Sequence, residues 1–141
     1  MNNIEHWIEP IQNVESYLAN LRYALDHNAY IELQLERRVD ANRNPEFTNS
    51  YTLQDLFANE NPITAIRREL YTLSLKNYSS TCKDIRFPAK GNMWEFGKEY
   101  SGKDVYIKIR VNLLDEFGCP KVFTMSFHYA ETTINFPYKG V

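Results

Sequence analysis

Five side chains in the last third of the sequence could do acid–base chemistry on a phosphate ester: Glu95, Tyr106, Lys108, Arg110 and His128. Glutamate suits a general base, and histidine suits a general acid because its pKa lies near neutral pH. Lysine and arginine can hold the charge that develops on a phosphate, and arginine does so with bidentate geometry. With a ribose 2′-hydroxyl as the nucleophile, this set of groups predicts metal-independent cleavage of RNA.

These side chains can act together only if they share one face of a sheet. The segments MWEFGKEY, DVYIKIRV and KVFTMSFHY alternate apolar and polar residues, which predicts three strands with one buried face each. The register that buries the apolar residues aligns three polar pairs: Tyr106 with His128, Lys108 with Ser126, and Arg110 with Thr124. Four alternate residues of the last strand are then predicted to enter the core: Phe123, Met125, Phe127 and Tyr129. Glu95 should lie beside Lys108 or Arg110, and the polar face should be accessible to solvent.

Four further lysines and arginines are candidates for RNA binding: Lys83, Arg86, Lys90 and Lys98. The first three lie in or beside the loop RFPAKGN, and Lys98 falls on the Trp94 side of its strand. The alternative for the loop is an ordinary solvated segment. The alternative for the sheet face is a set of cross-strand pairs without catalytic function, each contributing about 0.2–1 kcal/mol. No metal site and no cofactor are predicted, since Cys82 and Cys119 fit neither metal-ligand nor disulfide spacing.

Composition predicts one domain over residues 1–141, with an N-terminal extension over 1–50 and a core over 51–141. Hydrophobic residues make up 43% of the chain, and no apolar run is long enough for a membrane span, so a cytoplasmic protein is expected. Charge is uneven, because residues 1–75 hold 6 basic and 11 acidic side chains and residues 76–141 hold 10 and 7. The acidic N-terminal part is therefore expected to serve regulation, and either to lie away from the active face or to pack its helices behind the sheet.

The elements predict an α+β fold in which N-terminal helices cover one face of an antiparallel meander sheet. Helical spacing of apolar residues predicts an amphipathic helix over about 13–27. Thr52 and Asp55 suggest a capping box before a short helix, and Asn61-Pro62 suggests the start of another. AYIELQLERRVD predicts an edge strand, which either pairs within the sheet or accepts a strand from a partner protein.

Several of these stretches resemble bacterial toxins of the MqsR group, within the RelE-like class. The resemblance covers residues 92–138 through MWEFGKEYSGKDVYIKI, MSFHYAE and FPYK, and extends more weakly over 51–80 through YTLQDL and ITAIRRELYTLSLKNY. It implies a RelE-like fold and a type II toxin–antitoxin toxin that cleaves mRNA, free or ribosome-bound, and binds a cognate antitoxin. Tyr106 takes the place of the family's tyrosine. A histidine with a preceding glutamate and arginine, as in other RelE-like toxins, would correspond to His128, Glu95 and Arg110.

Two other functions remain open on the residues alone. A non-enzymatic module, antitoxin-like, immunity-related or phage-borne, could use the same fold to bind a protein partner. A sheet that binds RNA without cleaving it could stack bases on Tyr106 and Tyr129. Absence of RNA cleavage together with tight binding to a protein partner would favour the first of these two.

Overall fold

The structure, a computed structural model, describes residues 5–115 and 117–141 and has an α+β architecture. Its three α-helices are α1 (Ile11–Asp26), α2 (Asn49–Leu56) and α3 (Pro62–Tyr71). Six strands form one mixed sheet in the order β1-β3-β4-β5-β6-β2. The strands are β1 (His6–Trp7), β2 (Tyr30–Leu33), β3 (Tyr78–Cys82), β4 (Met93–Tyr100), β5 (Lys103–Asn112) and β6 (Lys121–Tyr129).

The sheet is an antiparallel meander from β3 to β6, but β2 joins β6 in parallel at one edge. A two-residue turn connects β4 to β5, with φ of 52° at Ser101 and 85° at Gly102, as a tight hairpin of this twist requires. The prediction of a purely antiparallel sheet was therefore wrong at β2. β1 and β3 were also missed, because β1 has two residues and β3 is a short, largely polar run, YSSTC.

All three helices contribute to a core on one face of the sheet. The predicted amphipathic helix is confirmed as α1, which buries Val14, Leu18, Leu21, Ala24 and Leu25. These side chains pack with α3 residues and with Phe96, Ile107 and Phe127 from the sheet. Burying one of the valine, leucine, isoleucine or phenylalanine side chains contributes about 1.5–3 kcal/mol. Among the described residues, no helix is long and apolar enough to cross a membrane.

The N-terminal cap was predicted correctly for α3 and wrongly for α2. Asn61 caps α3 by accepting hydrogen bonds from the backbone N–H groups of Ile63 and Thr64. The cap of α2 is Thr48, not Thr52, and Thr48 accepts from the N–H of Tyr51. Thr52 instead accepts from the N–H of Tyr129, so its hydroxyl fastens α2 to β6.

A β-bulge at Met125 changes the register between β5 and β6. Tyr106 lies opposite His128 and Lys108 opposite Ser126, as predicted, but the pairing then shifts by one residue. Arg110 consequently faces Phe123 instead of Thr124. A bulge inserts one extra residue and so reverses the alternation beyond it. Thr124 therefore points to the core and is fully buried, whereas Phe123 and Met125 lie on the polar face, opposite to their prediction.

Candidate functional site

The sheet face without helices carries a groove made of two adjoining cavities. The first, of about 430 Å³, is lined by Glu95, Tyr106, Lys108, Ser126 and His128 together with Arg37 and Arg43. The second, of about 670 Å³, is lined by Lys83, Arg86, Lys90 and Arg110 among others. Arg37, Lys108 and Met125 border both cavities, which joins them into one continuous groove. The predicted shared face is thus confirmed for Glu95, Lys108, Arg110 and His128.

The predicted openness of this face is wrong for three of its side chains. Glu95, Arg110 and His128 are only 5%, 6% and 5% exposed. Part of the cover comes from the C-terminal tail, which packs on Gly97 in the middle of β4. A Cβ atom at Gly97 would lie 2.7 Å from Cζ of Phe136, so only glycine allows this approach. The groove is consequently a recessed surface with walls, not an open sheet.

The Glu95 carboxylate is the centre of a hydrogen-bond network on the floor of the groove. Its Oε1 accepts from the Ser80 hydroxyl at 2.9 Å and lies 2.8 Å from Nε2 of His6. Its Oε2 accepts from the Tyr106 hydroxyl. Burial and the adjacent Glu95 raise the pKa of Tyr106 far above its usual range, so the phenol stays a donor. Donors from β3, β1 and β5 therefore fix the orientation of this carboxylate.

His128 is held as a neutral imidazole. Its Nδ1 lies 2.9 Å from the carbonyl oxygen of Tyr129, and because a carbonyl can only accept, Nδ1 carries the hydrogen. Burial lowers the pKa of His128, and the nearby Arg43 and Arg37 lower it further against that hydrogen bond. The ring lies 5.4 Å from the Tyr106 ring, centroid to centroid. At neutral pH the groove thus presents an uncharged histidine in the same cavity as Arg37 and Arg43.

Arg37 and Arg43 come from the segment between β2 and α2. They were not predicted as site residues, because the N-terminal part is acidic on average. Arg37 donates from Nη1 to the Ser126 hydroxyl at 3.2 Å. Arg43 forms an ion pair with Glu131 at 2.9 Å. The expectation that the N-terminal half lies away from this face is therefore wrong for both arginines, although α1 does pack behind the sheet. The segment reaches the groove because the strand before it, β2, pairs in parallel with β6. The local sequence does not indicate this pairing.

A buried ion pair supports the second cavity. Arg110 Nη1 lies 2.7 Å from Oδ2 of Asp84, and Asp84 is also buried. Oδ1 of Asp84 accepts from the backbone N–H groups of Arg86 and Phe87. Burial alone would raise the pKa of Asp84, but the hydrogen bonds from Arg110, Phe87 and Arg86 outweigh it and lower the pKa. This carboxylate therefore holds the basic loop, residues 83–91, against the sheet.

Three of the four predicted RNA-binding cations line the groove, and the fourth does not. Lys83, Arg86 and Lys90 project from the basic loop and are exposed. Lys98 lies on the helix-covered side, where Nζ is 3.1 Å from Oε1 of Glu69 and donates to the Thr72 hydroxyl. Its position follows from the alternation of β4, which turns Lys98 to the side opposite Glu95. Lys98 therefore lies on the Trp94 side of its strand, as predicted, and does not join the other three cations in the groove.

Within the described residues, one cluster has the donor atoms of a metal site, where the sequence predicted no such site. His6, Cys82 and Glu95 each place a ligand atom within 4.8 Å of the others. Cys82 and His6 come from β3 and β1, the two strands that the alternation pattern missed. Sequence spacing could not reveal the cluster, since its three members come from separate strands.

Comparison with known proteins gives one informative relative. No family model matches the chain, and no solved structure matches it. Over 103 residues the chain is 29% identical to a protein of Geobacillus stearothermophilus named "Putative transposase for insertion sequence element IS5376". The match covers 65% of this chain and 26% of that relative, so the chain spans about a quarter of the relative's length.

This similarity overturns the interpretation as an MqsR-like toxin. The relative's name points to a transposase, and nothing found supports a toxin–antitoxin toxin, an mRNA endoribonuclease or the antitoxin-like alternative. The resemblance was wrong because hairpins of aromatic and Gly-Lys residues recur in unrelated sheets. The roles of Glu95 as base and His128 as acid in RNA cleavage fall with it. The fold stands as α+β, and the RelE-like arrangement is not established.

Proposed function

We propose that this chain binds a single strand of DNA in the groove, as a nucleic-acid-binding module related to transposases. The observation that carries the proposal is a group of cations along one recessed surface that form no ion pair with a carboxylate among the described residues. We also propose that residues 1–141 act as one domain, since Arg37 and Arg43 line the groove together with β5 and β6. The relative named as a transposase supports the choice of DNA.

The charges of the groove are unequal in a way that favours an anionic ligand. Several of its acids already have cationic partners: Glu32 pairs with Lys121, Asp84 with Arg110 and Glu131 with Arg43. Arg37, Lys83, Arg86 and Lys90 form no ion pair with a carboxylate within residues 5–115 and 117–141. Burial lowers the pKa of Arg37, and the like charges of Arg43 and Arg86 lower it further, although Asp40 acts in the opposite direction. A phosphate between the arginines would relieve their repulsion.

The basic loop also offers a platform for a base. Phe87 is 49% exposed, and Nζ of Lys90 lies 4.8 Å from the centre of its ring. Proteins that bind single strands combine a basic track for the backbone with aromatic rings on which bases stack. An exposed ring flanked by Lys90 and Arg86 fits this combination, because the cations can hold phosphates on either side of a stacked base.

The recessed shape favours a single strand over a duplex. Arg37 lies between the basic loop and the floor of the groove, bonded to Ser126 on β6. A flexible strand can enter a walled groove and bring its phosphates to such a side chain, whereas a duplex is too wide and too stiff. We therefore expect duplex DNA to bind more weakly than a single strand of the same sequence.

Fluorescence anisotropy with a labelled single-stranded DNA oligonucleotide tests the proposal. Binding should weaken with salt, because each neutralised phosphate contributes about 0.7 to the log–log slope for single strands. Arg37→Gln and Lys90→Gln should each weaken binding and reduce this slope by about 0.7. Lys76→Gln is the matched control, because it removes the same charge from an exposed turn outside the groove.

Three outcomes would contradict the proposal. Absence of salt-dependent binding would exclude the groove as a nucleic-acid site. An equal loss in Lys76→Gln and Arg37→Gln would indicate non-specific attraction by the whole chain. Tighter binding of duplex DNA, or of RNA of the same sequence, would refute the choice of single-stranded DNA. Circular dichroism of each variant shows whether the fold is retained.

A further inference from the structure

Three strands bring a nitrogen, a sulfur and an oxygen donor to one point beside the groove. His6 and Cys82 are directly opposed across β1 and β3, so their side chains share a face. Glu95 pairs with Ser80, two residues before Cys82, and therefore projects from the same face. Nε2 of His6 lies 2.8 Å from Oε1 of Glu95, and ligand atoms of all three residues lie within 4.8 Å of one another.

We propose that His6, Cys82 and Glu95 bind one Zn²⁺ ion through three protein ligands, with a fourth position open to another ligand. Imidazole, thiolate and carboxylate are the groups that Zn²⁺ accepts, and the thiolate disfavours Mg²⁺ and Ca²⁺. Tetrahedral coordination at the usual bond lengths sets donor atoms about 3.5 Å apart. The separations at this cluster, from 2.8 Å to at most 4.8 Å, bracket that value, so small side-chain rotations suffice.

The surroundings of Glu95 are those of a metal ligand held by outer hydrogen bonds. Metal-binding carboxylates and histidines are commonly oriented by a second layer of donors and acceptors. Ser80 and Tyr106 both donate to Glu95 and belong to strands on either side of it. Ser80 can keep its hydrogen bond to Oε1 if the ion takes the place of the contact between His6 and Glu95.

Charge balance is also consistent with a divalent ion. A cysteine thiol gives up its proton when it binds a metal ion. Binding Zn²⁺ releases that proton, so the two charges of the ion are balanced by one thiolate and one carboxylate. Affinity should therefore rise with pH until the thiol ionises readily.

Cobalt substitution of the full chain tests the proposal without any DNA present. Equimolar Co²⁺ should give a sulfur-to-cobalt charge-transfer band and visible bands typical of tetrahedral coordination, and Zn²⁺ should displace it. Three matched pairs of variants separate the ligands from similar residues elsewhere. Cys82→Ser, His6→Ala and Glu95→Gln should lose or weaken the bands, whereas Cys119→Ser, His27→Ala and Glu99→Gln should keep them.

The variants also identify the results that would overturn the proposal. Wild-type protein without a charge-transfer band would exclude a thiolate-bound ion. Bands that survive Cys82→Ser and vanish in Cys119→Ser would place the metal at the exposed thiol instead. If Cys82→Ser does not fold, His6→Ala decides, because His6 is exposed at the edge of the sheet. Unchanged spectra and affinity in His6→Ala would then refute the site. A failure of DNA binding would leave this result unaffected.

Discussion

Removing one partner of the buried ion pair between Asp84 and Arg110 should destabilise the protein strongly. Asp84→Asn is the sharpest change, because the amide keeps the shape of the side chain and an oxygen for the N–H groups of Arg86 and Phe87. It leaves the Arg110 guanidinium buried without a counter-charge. A buried charge that loses its partner costs about 3–5 kcal/mol.

A double-mutant cycle separates the coupling between the two charges from the cost of each single substitution. Arg110→Met also leaves a buried charge, but the methionine keeps apolar contact with Met93 and Phe123, against which the arginine lies. We expect about 3 kcal/mol for each single variant, at the lower end of the usual range. The double variant Asp84→Asn/Arg110→Met should cost no more than the worse single variant, because neither charge then remains. The coupling free energy should therefore be at least about 3 kcal/mol.

Urea unfolding followed by circular dichroism measures these differences in the free energy of unfolding. Glu131→Gln provides the comparison, since it breaks the more exposed ion pair with Arg43 and should cost about 0–1 kcal/mol. A cost for Asp84→Asn no larger than that of Glu131→Gln would refute the argument from burial. A double variant that costs the sum of the two singles would show that the charges are not coupled.

Three further substitutions test side chains that lie in the sheet or pack against it. Burial lowers the pKa of His128 below 6.5, so at acidic pH the unfolded chain binds more protons than the folded chain. The free energy of unfolding should therefore be highest above pH 6.5 and should fall below it. His128→Gln should flatten this pH dependence in urea titrations. Gly97→Ala should cost about 1–3 kcal/mol and expose the tail to proteases, since its Cβ would clash with Phe136; unchanged cleavage would contradict this. Asn49→Ala should cost about 3 kcal/mol in thermal or urea unfolding, at about 1 kcal/mol per bond, because the buried Asn49 bonds to the backbone of Gln34, Met125 and Phe127.

The register of β5 and β6 could be predicted as far as Lys108 and Ser126, because shifting it by one residue would have exposed the whole apolar set. Beyond that point the prediction failed at Met125. No glycine or proline marks this bulge in the sequence. Asn49 stabilises it by donating to the Met125 carbonyl from 76 residues away, so its cause lies outside the local pattern. Alternation therefore predicted the site on one side of the bulge and reversed Phe123 and Thr124 on the other.

The groove residues that were missed share a different cause. Arg37 reaches the groove because β2 runs parallel to β6, and His6 reaches Glu95 because β1 adds to the far edge of the sheet. Parallel and edge pairings join segments that are distant in the sequence, and no short turn between them indicates the pairing. The average charge led to a wrong prediction for a similar reason. Residues 1–75 hold more acids than bases, yet the charge of the groove depends on where Arg37 and Arg43 lie and not on the total.

Lys108 connects the two proposals and allows them to be tested against each other. It borders both cavities of the groove, and its charge also lies close enough to the Cys82 thiol to lower the pKa of that group. Lys108→Gln removes a cation that would attract phosphate, so DNA should bind more weakly, with a salt slope smaller by about 0.7. The same change makes the Cys82 thiol harder to ionise, but it also removes a positive charge that repels the ion. Because binding brings two positive charges and releases only one proton, Co²⁺ should bind more tightly to His6, Cys82 and Glu95. Loss of the fold would weaken both, and therefore opposite shifts in one variant cannot come from unfolding. Weaker binding of both ligands in a folded Lys108→Gln protein would refute the placement of the ion beside this lysine.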